Sequence, residues 1–359
     1  MKATDIAALR LVNQHLAGTR LKTAKDLVRW IGAVQAQDHS MAQWALGVRL
    51  PDITAEAVRA ALHRGGILRT HVLRPTWHLV AAEDIHWLLA LTAPHIRPLL
   101  ASHQRELELT EAAFSQSRRV MEDALAGGRH LTRQELIAEF GKANLSADEG
   151  RATLLLMRAE LDGFVCSGAA RGNKQTYALL AERVPTAEAL PREEALARLA
   201  RRYFASHGPA TGQDFAWWSG LPAADARKGV AGLGPEFVSH AVDGKTYWWA
   251  GSLAGPEAGG GGERAFLLPA FDEFLISYKD RSASLAAGSR ARVITVNGTF
   301  RPVVVLDGQV AGTWKRTVKR GTIGLETALF GPVSPSARER IERAAAAWGR
   351  FWNGHPEVQ

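Results

Sequence analysis

Cysteine is almost absent from this 359-residue chain: Cys166 stands alone, which excludes a disulfide framework and a zinc site built on thiolates. No stretch approaches the roughly 20 consecutive apolar residues that a membrane span requires, and the opening MKATDIAALR carries no apolar signal segment. The expectation is a soluble, cytoplasmic protein. Cofactor motifs are missing as well. There is no P-loop and no dinucleotide-binding fingerprint. The glycines at 259–262 lack the preceding strand and following helix that phosphate cradling requires. No lysine occupies a setting that marks a Schiff-base nucleophile, and no third ligand near His71 and His78 completes a metal site. Chemistry without a cofactor is the consequence.

What the chain does contain is ample core material, 46% hydrophobic residues with 11 Trp and 12 Phe, so disorder is excluded. Its length exceeds what a single core fills and points to several units. The net charge of +8 is uneven. Residues 1–108 hold 13 basic against 9 acidic side chains and residues 263–359 hold 14 against 9, with near balance between them. If the two ends meet, they form one basic face, the footprint of phosphate binding.

The layout repeats. In residues 109–185, TEAAFSQSRRVMEDALAGG, LTRQELIAEFGKA and SADEGRATLLLMRAELDG read as helices, the second opened by Thr132 with Glu135 completing a capping box. FVCSGAARGNKQTYALL then reads as two strands around a polar tip. Three helices and a hairpin predict a winged helix. The pattern recurs in residues 186–262, with a hairpin turning at Asp243-Gly244, and with more decoration in residues 1–108, where ILRTHVLRPTWHLV is an extended pair broken near Pro75. In residues 263–359, AFLLPAFDEFLISYKDR, ARVITVNGTF, RPVVVLDGQVAGTWKR and GTIGLETALF alternate in strand fashion, with turns at Asn297-Gly298 and Asp307-Gly308, before a terminal helix. The predicted fold is α+β: tandem winged-helix units followed by a small C-terminal β-barrel-like domain.

Two carboxamides, Gln35 and Gln37, flank Ala36 directly behind the amphipathic segment TAKDLVRWIGA. Packing explains such a pair poorly. Catalysis, plain contact with DNA, and the capping of a helix end or an inter-domain contact all remain open for it. Asp38 follows at once and is the alternative candidate for activating a water. Arg74, Thr76 and His78 are two apart on an expected strand, so that they share a face and can meet a phosphate and a nucleotide. Lys279 and Arg281, with Lys315, Arg316, Lys319 and Arg320, are the candidate phosphate contacts. Trp217, Trp218, Trp248 and Trp249 are assigned to the core of the third unit rather than to base stacking.

With QAQD in the first unit, RPTWHLV after its helices, LLPAFDEFLISYKDRS opening the last unit and GTWKR inside it, the chain resembles the winged-helix DNA-binding family that contains the AlkZ-like DNA glycosylases. The resemblance covers nearly the whole chain. It implies a monofunctional glycosylase acting on double-stranded DNA, excising alkylated purines such as N7-alkylguanine and the bases of interstrand crosslinks, with no cofactor and as a monomer. Gln35 and Gln37 carry over as the pair that positions the nucleophilic water. The rival readings are a non-catalytic regulator and a damage binder that has lost catalysis.

Overall fold

The computed structural model describes residues 2–251, 264–319, 322–353 and 357–358. Three stretches of chain share one order of elements: a helix, a two-residue strand, two helices and then two longer strands. In the first these are Ala24–Ile31, β1 (Val34–Gln35), His39–Gly47, Ala55–His63, β2 (Ile67–His71) and β3 (Trp77–Ala81). In the second they are Glu111–Leu125, β4 (Leu131–Thr132), Arg133–Lys142, Glu149–Leu161, β5 (Val165–Ser167) and β6 (Thr176–Leu179). In the third they are Arg192–His207, β7 (Ala210–Thr211), Gly212–Ser219, Ala223–Ala231, β8 (Phe237–Val242) and β9 (Lys245–Ala250). Each set closes into a three-stranded antiparallel sheet with the last strand in the centre, in the orders β1-β3-β2, β4-β6-β5 and β7-β9-β8.

Local chemistry sets these boundaries. Thr23, Asp38, Thr54, Thr132, Asp148 and Thr211 each accept a hydrogen bond from a backbone amide in the first turn of the helix they open, satisfying a donor that has no partner inside the helix. Thr132 and Glu135 form the expected capping box. Asp243 and Gly244 take φ of 48° and 73° between the paired residues Val242 and Lys245, the left-handed pair that a two-residue hairpin turn needs.

The C-terminal part departs from expectation. Five strands, β10 (Ala265–Leu268), β11 (Val303–Leu306), β12 (Gln309–Lys319), β13 (Thr322–Leu329) and β14 (Glu357–Val358), lie side by side in that order. Among the described residues the sheet stays open, so the barrel-like expectation is corrected: β10 pairs with β11 alone, and β14 joins β13 in parallel at the other edge. The helix Pro335–Phe351 packs against β10 instead. Nor does AFLLPAFDEFLISYKDR continue as a strand. Pro269 cannot donate to a ladder, and Asp272 caps a short helix, Glu273–Ile276. ARVITVNGTF forms a turn of helix, Arg290–Val293, and a single bridge from Ile294 to Phe300. Val293 is buried while Val296 is fully exposed.

The first unit sits between two others. Leu68, Val72 and Val80 share a core with Leu199, Tyr203, Phe204 and Trp218 of the third. Leu27, Val28, Ile31 and Leu79 share another with Leu267, Val304, Trp314 and Trp348 of the C-terminal sheet and helix. The N-terminal helix Ala3–Asn13 also reaches the third unit, where Arg10 and Asn13 donate to the carbonyls of Pro209 and Gly208 at 3.0 and 2.7 Å. The second unit has a core of its own around Leu125, Phe140 and Leu155. Burial of this kind covers the first sheet, whose edge strand is β1, on both sides.

Candidate functional site

The three repeats differ at one point. In the second and third, the short strand runs straight into its helix: Thr132 and Thr211 are at once the last strand residue and the helix cap. In the first, β1 ends at Gln35 and the cap is Asp38. Two residues, Ala36 and Gln37, are inserted there. Extended backbone turns successive side chains to opposite faces, so Val34 and Ala36 enter the apolar core while Gln35 and Gln37 face the other way.

The two glutamines then have different surroundings. Gln35 is 5% exposed. Its backbone N–H donates to Glu273 Oε1 at 2.7 Å, and its side-chain Oε1 accepts from Arg74 Nη2 at 2.8 Å. Gln37 is exposed, and its amide has no hydrogen-bond partner among the described residues. Ala36 between them is held by its N–H on the Trp77 carbonyl at 2.7 Å and by Arg69 Nε on its own carbonyl at 3.0 Å. Asp38 Oδ1 accepts from the amides of Ser40 and Met41 at 2.9 and 3.0 Å and from the Ser40 hydroxyl at 2.8 Å, which is the work of a helix cap.

Behind β1 lies a buried carboxylate that sequence reasoning passed over. Glu273 is 1% exposed. Besides the Gln35 amide it accepts from Trp218 Nε1 at 3.2 Å and from the Ser277 hydroxyl, and His207 Nε2 lies 3.6 Å away. Burial pushes its pKa up, but the nearby His207 and the hydrogen bonds from Ser277 and the Gln35 amide outweigh it and hold the group down to about 2, so it is ionised at neutral pH. Burial lowers His207. The signal was present in LLPAFDEFLISYKDR, where two adjacent acids interrupt an apolar run; buried charges of that kind are retained only when paired.

The other expected residues are placed as follows. Arg74 and Thr76 do not lie on a strand but in the turn between β2 and β3, so the shared strand face of Arg74, Thr76 and His78 is not formed. The reason is the pair of tight turns around Pro75, with Arg74 N–H on the Val72 carbonyl and Thr76 N–H on the Arg74 carbonyl. Arg74 and His78 nonetheless meet at Gln35, the first by its hydrogen bond and the second as the strand partner of Gln35 in β3. His78 is buried; burial and the Arg74 charge lower its pKa to about 3, which leaves it neutral. Lys279 is exposed. Arg281 is not, and its Nε and Nη1 are turned onto the carbonyls of Leu275 and Lys279, with burial lowering its pKa to about 10. Lys315 and Arg316 are exposed on β12, Lys315 pairing with Glu326 at 3.1 Å. Arg320 and the side chain of Lys319 lie outside the described residues. Among the tryptophans, Trp218 is core, but Trp217 is 41% exposed. Its indole N–H donates to the Ile276 carbonyl and its ring faces Arg74 and Arg281, so its assignment to the core is corrected.

The chain is similar to known proteins along most of its length. A family model described as DNA glycosylase AlkZ-like matches residues 28–351. An interstrand DNA cross-link repair glycosylase of Streptomyces sahachiroi is 28% identical over 337 residues, spanning 88% of each chain. Among solved structures, the S. sahachiroi DNA glycosylase AlkZ shares the fold with a TM-score of 0.82 at 24% identity, over all of this chain and 99% of that one.

Proposed function

The chain belongs to the AlkZ-like DNA glycosylase family, and from that premise we propose that it hydrolyses the N-glycosidic bond of N7-alkylated purines in duplex DNA with a water held by Gln37. The two-residue insertion that exposes Gln37 beside a buried, clamped Gln35 carries the reading. Each helix–strand–helix–helix–strand–strand repeat reads as a winged helix, and the molecule as a monomer wrapping one damaged site.

The chemistry asks little of the protein. A purine alkylated at N7 is cationic and departs neutral, taking the electrons of the C1′–N9 bond. The sugar is left as an oxocarbenium-like species, water adds to C1′, and its proton passes to solvent. An amide is no useful base, but its carbonyl oxygen accepts from a water and so orients it. The roles within the pair divide by geometry. Gln35 Oε1 is occupied by Arg74, which leaves its Nε2 as a donor toward a sugar or phosphate oxygen, while the amide of Gln37 is open on both sides. The ionised Glu273 behind β1 holds the Gln35 backbone and adds negative potential where positive charge develops on the sugar.

Incubating the protein with a duplex containing N7-alkylguanine, then treating with hot alkali, should break the strand at the modified guanine. Intact strands would sink the proposal. Binding to phosphates makes a second result measurable. Affinity for undamaged duplex should fall steeply with salt, and replacing Lys315, Arg316, Lys319 and Arg320 together by alanine should flatten the slope of log K against log salt by up to about 0.9 for each phosphate no longer neutralised. An unchanged slope would mean that this segment faces away from DNA.

A further inference from the structure

A groove of about 580 Å³ begins at Asp38, the residue after Gln37. It is lined by the helices His39–Gly47 and Ala55–His63, by the 167–175 connection of the second unit and by Trp352, just past the terminal helix. Arg69 joins this groove to the glutamine pair: it lines the wall while its Nε holds the carbonyl of Ala36, and its guanidinium stacks 4.1 Å from the Trp77 ring. A volume of that size suits a ligand larger than a methyl group, within the range of roughly 300–1,000 Å³ seen for organic ligands.

The groove wall carries buried polar groups that are incompletely satisfied. Gln43 is 4% exposed, its Nε2 reaches the His39 carbonyl only at 3.5 Å, and its Oε1 has no partner. Among the described residues, His39 Nδ1 and the indole N–H of Trp352 are also buried without a partner. Buried polar atoms are paired in the great majority of cases, and an orphan calls for an explanation. Three around one groove supply an acceptor, a donor and an imidazole nitrogen that takes either role; burial and the Arg69 charge lower the His39 pKa to about 4, so the ring is neutral. Formal charge in the wall is balanced, with Arg59 and Arg69 against Asp38 and Glu56. A phosphate would want an excess of cations. A neutral heteroaromatic ring with alternating donors and acceptors on its edge, beside an indole, fits better.

We propose that this groove is the subsite for the second purine of a crosslink, the base tethered through the alkyl bridge to the one whose glycosidic bond is cut. The proposal rests on the glycosylase reading above. With the target guanine beside Gln37, the alkyl bridge runs past Asp38 and carries the second purine into the groove, where Gln43 and Trp352 meet its edge after small side-chain rotations. The same ring chemistry is offered by the target base itself if it swings out of the helix, and the test separates the two sources.

Two duplexes of one sequence, each carrying a 2′-fluorinated target nucleotide whose glycosidic bond resists cleavage, differ only at N7 of the target guanine: one bears a methyl group, the other a short alkyl bridge to a guanine of the opposite strand. Affinities are measured by fluorescence anisotropy for the wild type, for Gln43→Leu, which nearly keeps shape, and for Trp352→Phe, which keeps an aromatic ring, both removing the polar atoms, with thermal melting as a check on folding. The wild type should bind the bridged duplex about tenfold more tightly than the methylated one, and each variant should lose most of that preference while binding the methylated duplex as the wild type does. No preference in the wild type, or a preference that survives both substitutions, overturns the proposal. An equal loss on both duplexes gives the groove to the target base and overturns it too. Failure of the wild type to excise from unfluorinated N7-methylguanine DNA would instead remove the glycosylase reading, and the binding preference still decides the subsite.

Discussion

Replacing Gln37 by alanine is expected to slow single-turnover excision of N7-alkylguanine by roughly ten- to a thousandfold, the range for removing one positioned transition-state interaction. Affinity for the same duplex should change by less than about twofold, since an interaction made only in the transition state leaves ground-state binding alone. Gln37 is the cleaner of the two positions because its amide is exposed and has no hydrogen-bond partner among the described residues, so truncation breaks no bond between them. Gln35→Ala confounds two effects: it removes a functional donor and also leaves the Arg74 guanidinium, already turned toward Gln35 Oε1, without its acceptor. An unaltered excision rate in Gln37→Ala would move the water-holding role to Asp38, whose Oδ1 is already occupied by three donors, or remove it from this segment altogether.

Asp272→Ala should lower unfolding stability by about 3–5 kcal/mol, measured by urea titration with the slope checked for two-state behaviour. Asp272 and Arg49 form a bidentate pair at 2.8 Å on both oxygens, with side chains 1% and 0% exposed. The alanine strands a guanidinium that water cannot reach. Its remaining bonds, to the carbonyls of Gln14 and Ala45 and to Gln14 Oε1, do not neutralise it. Asp272→Asn should fall between, and replacing both partners by apolar residues of similar volume should recover most of the loss, because the desolvation of two charges is removed with their attraction. A loss below about 1 kcal/mol, the figure for an exposed pair, would show that water reaches Arg49. The pair also matters for the site. It ties the end of the helix His39–Gly47 to the segment that carries Glu273, and thereby keeps that carboxylate behind Gln35.

Helices and hairpins were legible in the sequence where short-range chemistry decides them. Thr132 with Glu135 marks a helix start within four residues, and Asp243-Gly244 a two-residue turn within two. The repeated order of helices and hairpins was readable for the same reason. Less legible was ARVITVNGTF, where Asn297-Gly298 promises a hairpin but only the bridge from Ile294 to Phe300 forms. Turn chemistry permits a hairpin; it does not supply a partner strand. Among the described residues the five-stranded sheet stays open and the helix Pro335–Phe351 packs on β10, a contact between distant pieces of chain that no local pattern records.

By itself the sequence determined that two carboxamides stand one residue apart around Ala36, a spacing that puts both on one face wherever the chain is extended; the pairing of β1 with β3 is what extends it. Only the tertiary structure decided that the two differ. Gln35 is enclosed because Glu273 and Arg74 converge on it from 238 and 39 residues away, whereas Gln37 falls in the two-residue insertion before the Asp38 cap and stays in solvent. Arg281, a candidate for its charge, is likewise turned inward by the carbonyls of Leu275 and Lys279 and the rings of Trp217 and Phe300. Residue type states what a side chain can bond; which partners reach it first depends on residues far apart along the chain, and burial then sets whether it is left free to meet a substrate.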